Sequence, residues 1–301
     1  MTGFCNNCGA PVPATAHFCT ACGRAIPRAS VAPAVRVEDN WIYVVWFLFY
    51  FFLVAFFTGG LAIPLYIITT ILAFSKVAEK LWRSVSGVRP LRLKSEKERL
   101  LPLFREVYMG AVRVNPDLSR GIKLYIKEDM TINAFAFGKS TLVLTRGSLE
   151  LLNDSCLKGL MAHELGHFSY RHTEAVLLST VSNFHISFMM SKLTDLKNRL
   201  DNSKNRGGFF NMIFKTIIDI TYYSFRSTDF IGELILMHTS RKNEYLADGF
   251  ANQSGFGANL TEVLIELYRA SVSKPQSVKE QLKSTHPDIT LRIERLERTL
   301  Y

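Results

Sequence analysis

The chain has 301 residues, enough to bury a full core and to carry more than one module. It carries a formal charge of +10, and its 48% hydrophobic residues are unevenly spread. Nucleic acid is a poor fit to that charge: no stripe of alternating aromatic and basic residues is present, whereas many of the lysines and arginines follow one long apolar block, which points to a lipid bilayer as partner.

Residues 1–24 hold four of the five cysteines, Cys5, Cys8, Cys19 and Cys22, in the pattern C-x2-C-x10-C-x2-C. Gly9 and Gly23 directly follow the two pairs, and glycine reaches the positive φ of tight turns around a tetrahedral sulfur site without strain. So short a segment has too little apolar surface to fold unaided, and a structural zinc ion held by the four thiolates is expected to stabilise it. Two disulfides are the alternative, favoured in an oxidising compartment. Residues 25–40 (AIPRASVAPAVRVEDN) read as a linker.

From Asn40 to Ser75 there is no charged residue. As one helix, Trp41 to Phe74 would extend ~51 Å, against a hydrocarbon core of ~30 Å. Thr58-Gly59-Gly60 and Pro64 break it into runs of 17 and 14 residues. Both are slightly short for a span, which suits a transmembrane or re-entrant helical hairpin over 41–75. The polar N-terminus gives no expectation of a cleavable signal peptide, so the block is expected to be retained. Arg24, Arg28 and Arg36 lie before the block, and Lys76, Lys80 and Arg83 begin a longer basic stretch after it. Positive flanks on both sides imply an even number of crossings, and thiolates persist in a reducing compartment, so both flanking modules are expected on the cytosolic face.

In residues 76–301, GIKLYIK (121–127), INAFAF (132–137) and STLVLT (140–145) read as strands of a small sheet. Asp154 or Ser155 could cap a helix on which Leu157, Leu160, Met161, Leu165 and Phe168 form one buried stripe. The segments 176–190 and 209–237 are apolar without being confident spans. RKNEYLADGFANQ, GANLTEVLIELYRASV and PDITLRIERLERTL read as three late helices, the second opened by Asn259.

The helix opened at Asp154 or Ser155 carries HELGH. His163 and His167, four apart, can aim two imidazoles at one catalytic zinc ion, while Glu164 can approach a water beside the metal without binding it. The motif alone needs a third ligand. Glu244 is the candidate, and Asp248, one turn further on, could accept the second N–H of a ligating imidazole. The bland reading of these two acids is a solvated helix face beside Arg241 and Lys242.

HELGH, the upstream INAFAFG and TLVLTRGSLELL, the downstream RKNEYLAD and the late THPDITLRIERL together resemble the HtpX-like membrane zinc metalloproteases, relatives of the CAAX prenyl-protein proteases. The resemblance covers roughly residues 76–301 and implies a gluzincin: an α+β, mostly helical zincin-like domain with a small sheet. It implies a zinc metalloendopeptidase with His163, His167 and Glu244 as ligands, Glu164 as general base and Asp248 as the carboxylate behind a ligand. By the same resemblance His286 and Arg292 are candidates for stabilising the oxyanion. Asn133, Ala134, Phe135 and Ala136 would form a sheet edge on which an extended substrate adds as a strand. The expected setting is a bacterial cytoplasmic membrane with ribbon and protease facing the cytoplasm, and the expected substrates are proteins, membrane proteins among them, under quality control. Relatives carry two further spans between the motif helix and the third ligand, where this chain is broken by charges. A different class of function, a membrane-tethered ribbon adaptor with an inactive protease-like scaffold, would be favoured by loss of Glu164 or Glu244, and both are intact.

Overall fold

A computed structural model describes residues 2–4, 11–13, 40–202, 209–272 and 288–300. The chain forms two compact units, Met1–Arg36 and Val37–Tyr301. In the first, β1 (Thr2–Phe4) pairs antiparallel with β2 (Pro11–Pro13). The ribbon cysteines lie outside the described residues, as does His286.

The second unit opens with α1 (Trp41–Phe57) and α2 (Ile63–Ala73), joined by a turn in which Gly59 and Gly60 adopt φ of +58° and +85°. The left-handed backbone there explains the glycine pair. Pro64 falls in the first turn of α2, where its missing N–H costs nothing. The expected break is therefore present. At 17 and 11 residues the two helices are about 26 and 17 Å long. No helix among the described residues is long and apolar enough to cross a membrane, which corrects the expectation of transmembrane spans over 41–75. The shortfall comes from the five-residue turn, which consumes part of an apolar block already short for two spans.

Next come α3 (Lys76–Val85), β3 (Val88–Pro90), α4 (Lys94–Val114), β4 (Lys123–Lys127), β5 (Ala134–Phe137) and β6 (Thr141–Thr145). The four strands form one mixed sheet in the order β3-β4-β6-β5, with β4 and β6 parallel and the outer pairs antiparallel. Every residue of the inner strand β6 is buried, and β5 is an edge. The short α5 (Arg146–Leu151) leads into α6 (Asp154–Ser169). Asn153 caps α6 by accepting from the Cys156 N–H, one residue before the expected cap.

α7 (His172–Asn202) and α8 (Phe209–Gln253) are long, and the chain closes with α9 (Gly257–Val272) and α10 (Ile289–Leu300). The expected helix at 241–253 is the end of the 45-residue α8. Likewise α9 starts at Gly257, two residues before the expected Asn259.

Among the described residues two apolar cores result. One packs the sheet and α4 against α6, α8, α9 and α10 around Ile126, Leu142, Leu157, Met161, Leu165, Phe250 and Val263. The expected stripe of α6 is buried in it throughout. The other joins α1, α2, α7 and α8 through Tyr50, Val54, Tyr66, Val181, Ile186 and Phe225. Outward from that second core the helices expose Phe52, Phe56, Ile71, Phe184, Phe188, Phe214 and Ile220.

Candidate metal centre

Glycine spacing sets the site up. At Gly159 an added Cβ would stand 2.4 Å from the backbone of Asn259 and Leu260, and at Gly166 it would stand 2.9 Å from the Ala247 Cα. The two glycines are seven residues apart, two turns of one helix, so they let α9 and α8 lie directly against α6. Glu244 and Asp248, on the α8 segment flanking Ala247, are thereby carried to the histidines.

His163, His167 and Glu244 converge. Their nearest ligating atoms are 3.2 Å apart for His163 Nε2 and His167 Nε2, 3.4 Å for His163 Nε2 and Glu244 Oε2, and 3.6 Å for His167 Nε2 and Glu244 Oε1. Tetrahedral donors bonded at ~2.0–2.1 Å to one zinc ion stand about 3.3–3.4 Å apart. The three donors therefore fit a metal ion of that size, and they are neutral imidazole and carboxylate, the types zinc takes. His163 and Glu244 are buried, as is Glu164 beside them.

Each imidazole has a partner behind it. His163 Nδ1 donates to Asp248 Oδ1 at 2.9 Å, which leaves the Nε2 lone pair turned toward the cluster. His167 Nδ1 lies 2.9 Å from His172 Nδ1, so one of these nitrogens must carry a proton and the other accept it. If His167 ligates through Nε2, its Nδ1–H donates and His172 is the acceptor, with its own proton on Nε2. His172 is buried and stacks on Tyr170 at 5.5 Å. The sequence did not single it out, although a histidine five residues past the motif was the signal available.

Arg292 of α10 is buried and grips Asp248 with two hydrogen bonds, Nε to Oδ2 at 2.8 Å and Nη2 to Oδ1 at 2.7 Å. Its Nη1 lies 3.3 Å from Glu244 Oε2. The guanidinium thus braces both acids of α8, with two nitrogens on Asp248 and the third beside Glu244.

Electrostatics follow from this packing. Burial pulls the His163 pKa down, but the Asp248 and Glu244 carboxylates outweigh it and raise it to about 10. Burial pushes His167 to about 4 and His172 to about 2. Burial also works against the Asp248 charge, yet Arg292 and His163 hold its carboxyl below the usual range. The Glu244 and Asp248 carboxylates that favour positive charge at His163 would favour a divalent cation among these donors on the same ground.

The strand named for substrate lies at the sheet edge next to α6. Asn133 is tied down, its N–H donating to Thr145 Oγ1 and Ser148 Oγ and its carbonyl accepting from both hydroxyls. Ala134 and Ala136 face the core, and Phe135 and Phe137 pack on Trp82 from the other side.

Comparison with known proteins bears on this arrangement. The family model "Peptidase family M48" matches residues 117–300, a stretch that contains HELGH, Glu244 and Arg292. The chain belongs to peptidase family M48. A zinc-ribbon domain model matches residues 4–26. Among similar M48 relatives, the "Protease HtpX homolog" of Bacteroides fragilis (strain YCH46) is 30% identical over 180 residues, 56% of this chain and 51% of that protein. The homologue of Listeria monocytogenes serotype 4a is 31% identical over 207 residues, 58% of this chain and 67% of its own. That of Dictyoglomus turgidum is 27% identical over 292 residues, 85% of this chain and 89% of its own. The chain thus spans about half the length of the B. fragilis relative and most of the D. turgidum one. The crystal structure of S. mikatae Ste24p aligns with a TM-score of 0.49 at 16% identity, over 83% of this chain and 61% of that one. The family model and the HtpX homologues bear out the HtpX-like resemblance of the sequence.

Proposed function

We propose that this M48 peptidase is a zinc-dependent endopeptidase held at a membrane, with His163, His167 and Glu244 as metal ligands and Glu164 as general base. The observation that carries the reading is the agreement of the three donor separations with the edges of a zinc tetrahedron. Zinc bound there would polarise the scissile carbonyl and make a neighbouring water acidic.

The remaining work falls to side chains. Glu164, one residue from His163 on a helix locked by close glycine contacts, takes the proton of the attacking water and returns it to the leaving amine. Asp248 and His172 hold the two imidazoles in the tautomer that presents Nε2, and Arg292 fixes Asp248 and Glu244 against each other. Arg292 acts in this reading through the acids it grips; His286, the other candidate for the oxyanion, lies outside the described residues. An extended protein substrate adds along Asn133, Ala134, Phe135 and Ala136 at the β5 edge, its backbone groups pairing with those of the strand that β6 and the Thr145 and Ser148 hydroxyls leave open.

Membrane attachment rests on exposed apolar surface. Phe56 is 79% exposed and Leu61, in the turn, is 87% exposed, in a chain segment with no charge. Such a patch far exceeds the scattered apolar residues of a soluble surface. With helices of this length the hairpin enters from one face and returns to it. Ribbon and peptidase then share one side, the cytoplasmic side of a bacterial membrane, where the ribbon thiolates hold a second, structural zinc. Membrane proteins under quality control are the substrate class this placement favours.

The test is metal analysis of purified protein with a cleavage assay on unfolded and membrane-embedded substrates, for wild type and Glu164→Gln. Two zinc ions per chain in both, with hydrolysis by wild type alone, is the expected result. Wild type that loads zinc yet cleaves nothing across a broad panel would favour the tethered adaptor.

A further inference from the structure

Helix α3 divides sharply into two faces. Glu79, Trp82 and Arg83 turn inward to the sheet. The buried Glu79 carboxylate accepts from the Ser140 N–H at 3.2 Å, the Ser140 hydroxyl at 2.9 Å and the Thr141 hydroxyl at 2.5 Å. Arg83 Nη1 donates to Thr141 Oγ1 at 2.7 Å, and its guanidinium lies over the Tyr125 ring. Trp82 stacks on Phe137 with centroids 3.8 Å apart and planes 13° apart. The β5–β6 turn is shaped for this clamp: Gly138 has φ +62°, and a Cβ there would stand 2.8 Å from the Glu79 carboxyl carbon.

The other face has no such partner among the described residues. Val77 is 72% exposed, Leu81 63% and Val85 81%, at i, i+4 and i+8, one apolar stripe along the helix. The charges exposed beside it are Lys76 and Lys80, and the one carboxylate of the helix is the inward Glu79. Only Phe74 and Ser75 separate α3 from the end of the uncharged α2. An apolar stripe flanked by lysines and continuous with an exposed apolar hairpin matches a helix lying in the plane of an anionic lipid surface.

We propose that α3 rests in the headgroup layer of an anionic phospholipid surface with Val77, Leu81 and Val85 inserted, and that its inner face fixes the β5 edge at that surface. This rests on the membrane reading above and adds an orientation to it. A segment drawn from the bilayer meets the edge strand one helix diameter from the lipid, whereas a soluble protein gains nothing from the arrangement.

The full chain is reconstituted into vesicles of phosphatidylcholine and phosphatidylglycerol at three to one, with the photo-crosslinker p-benzoylphenylalanine at Leu81 or, as control, at the exposed Tyr268 of α9. Lipid adducts at position 81 several-fold above those at 268, and fewer in phosphatidylcholine alone, are expected. Vesicle-bound protein with no excess at 81, or with adducts to a second copy instead, overturns the proposal while leaving membrane attachment intact; protein that ignores vesicles overturns both. In parallel, the triple variant Val77→Asp, Leu81→Asp, Val85→Asp should lose about tenfold in cleavage of a bilayer-embedded substrate and keep its rate on a soluble unfolded one. Equal losses on both substrates would mean that the stripe serves the fold alone.

Discussion

Gly166 of the motif helix meets Ala247 of α8 so closely that a Cβ on the glycine would stand 2.9 Å from the Ala247 Cα and 3.1 Å from its carbonyl oxygen. Backbone cannot yield as a flexible side chain can, so any larger residue must drive the helices apart. Ala247 sits between Glu244 and Asp248, and a shift of α8 displaces both acids from the imidazoles. Gly166→Val is expected to lower zinc affinity at this site by tenfold or more while helical circular dichroism is kept. Competition with a fluorescent zinc chelator measures it, and unchanged affinity would separate the glycine from the site.

The His167–His172 pair gives a finer test. His172→Ala removes the acceptor for the His167 Nδ1–H, and zinc affinity should fall by ~10–100-fold, the usual effect of losing a partner behind a ligand. His172→Asn can accept through its side-chain oxygen at a similar reach, so it should recover most of the loss. A purely packing role would instead make the two variants alike.

Metal removal should loosen the whole unit, because the proposed ligands come from α6 and α8 and Arg292 adds α10. A ligand at a thousand times its Kd stabilises by about 4.1 kcal/mol. Stripping zinc with a chelator is therefore expected to lower Tm by several degrees, and adding zinc back should restore it. The Glu164→Gln protein should show the same shift, since Glu164 is not a ligand in this account.

Away from the site, Glu96 sets an acid limit. Arg89 Nη2 and Nη1 lie 2.6 and 3.0 Å from its carboxylate, and Arg146 Nη2 lies 3.2 Å away. The Arg89 hydrogen bonds hold the Glu96 pKa down at about 2, against the ordinary 4.5. A folded pKa below the unfolded one stabilises above pH 4.5, and the contribution is lost as pH falls from 4.5 toward 2. Glu96→Gln should cost about 1–3 kcal/mol near neutrality. In urea titrations at descending pH the gap to wild type should narrow across that window; a gap constant with pH would refute the assignment.

Much of the centre was legible because helical spacing fixes it: HELGH places two imidazoles on one face, and NEYLAD places two acids one turn apart. What the spacing did not reveal was how α8 reaches α6, since close approach at Gly159 and Gly166 depends on backbone contacts between distant segments. His172 went unnoticed because its partner is set by the turn at Arg171, whose φ of 58° reverses the chain between α6 and α7. The 45-residue α8 was hidden by Lys215, Asp219 and Arg226; Asp201 and Lys197 of α7 pair with the first two, and Arg226 is exposed. At three residues β3 is too short for any alternation, and it becomes a strand only by pairing with β4. Asn153 displaced the expected caps because its own side chain reaches the Cys156 N–H, leaving Asp154 and Ser155 inside the first turn.

The most direct measurement is the zinc content of the full chain with Glu244→Ala, read beside its hydrolysis of an unfolded protein. If the acid closes the metal site, the count falls from two ions per chain to one, the ribbon keeping its own, and cleavage is lost. Two ions retained together with undiminished cleavage would contradict the account at its centre.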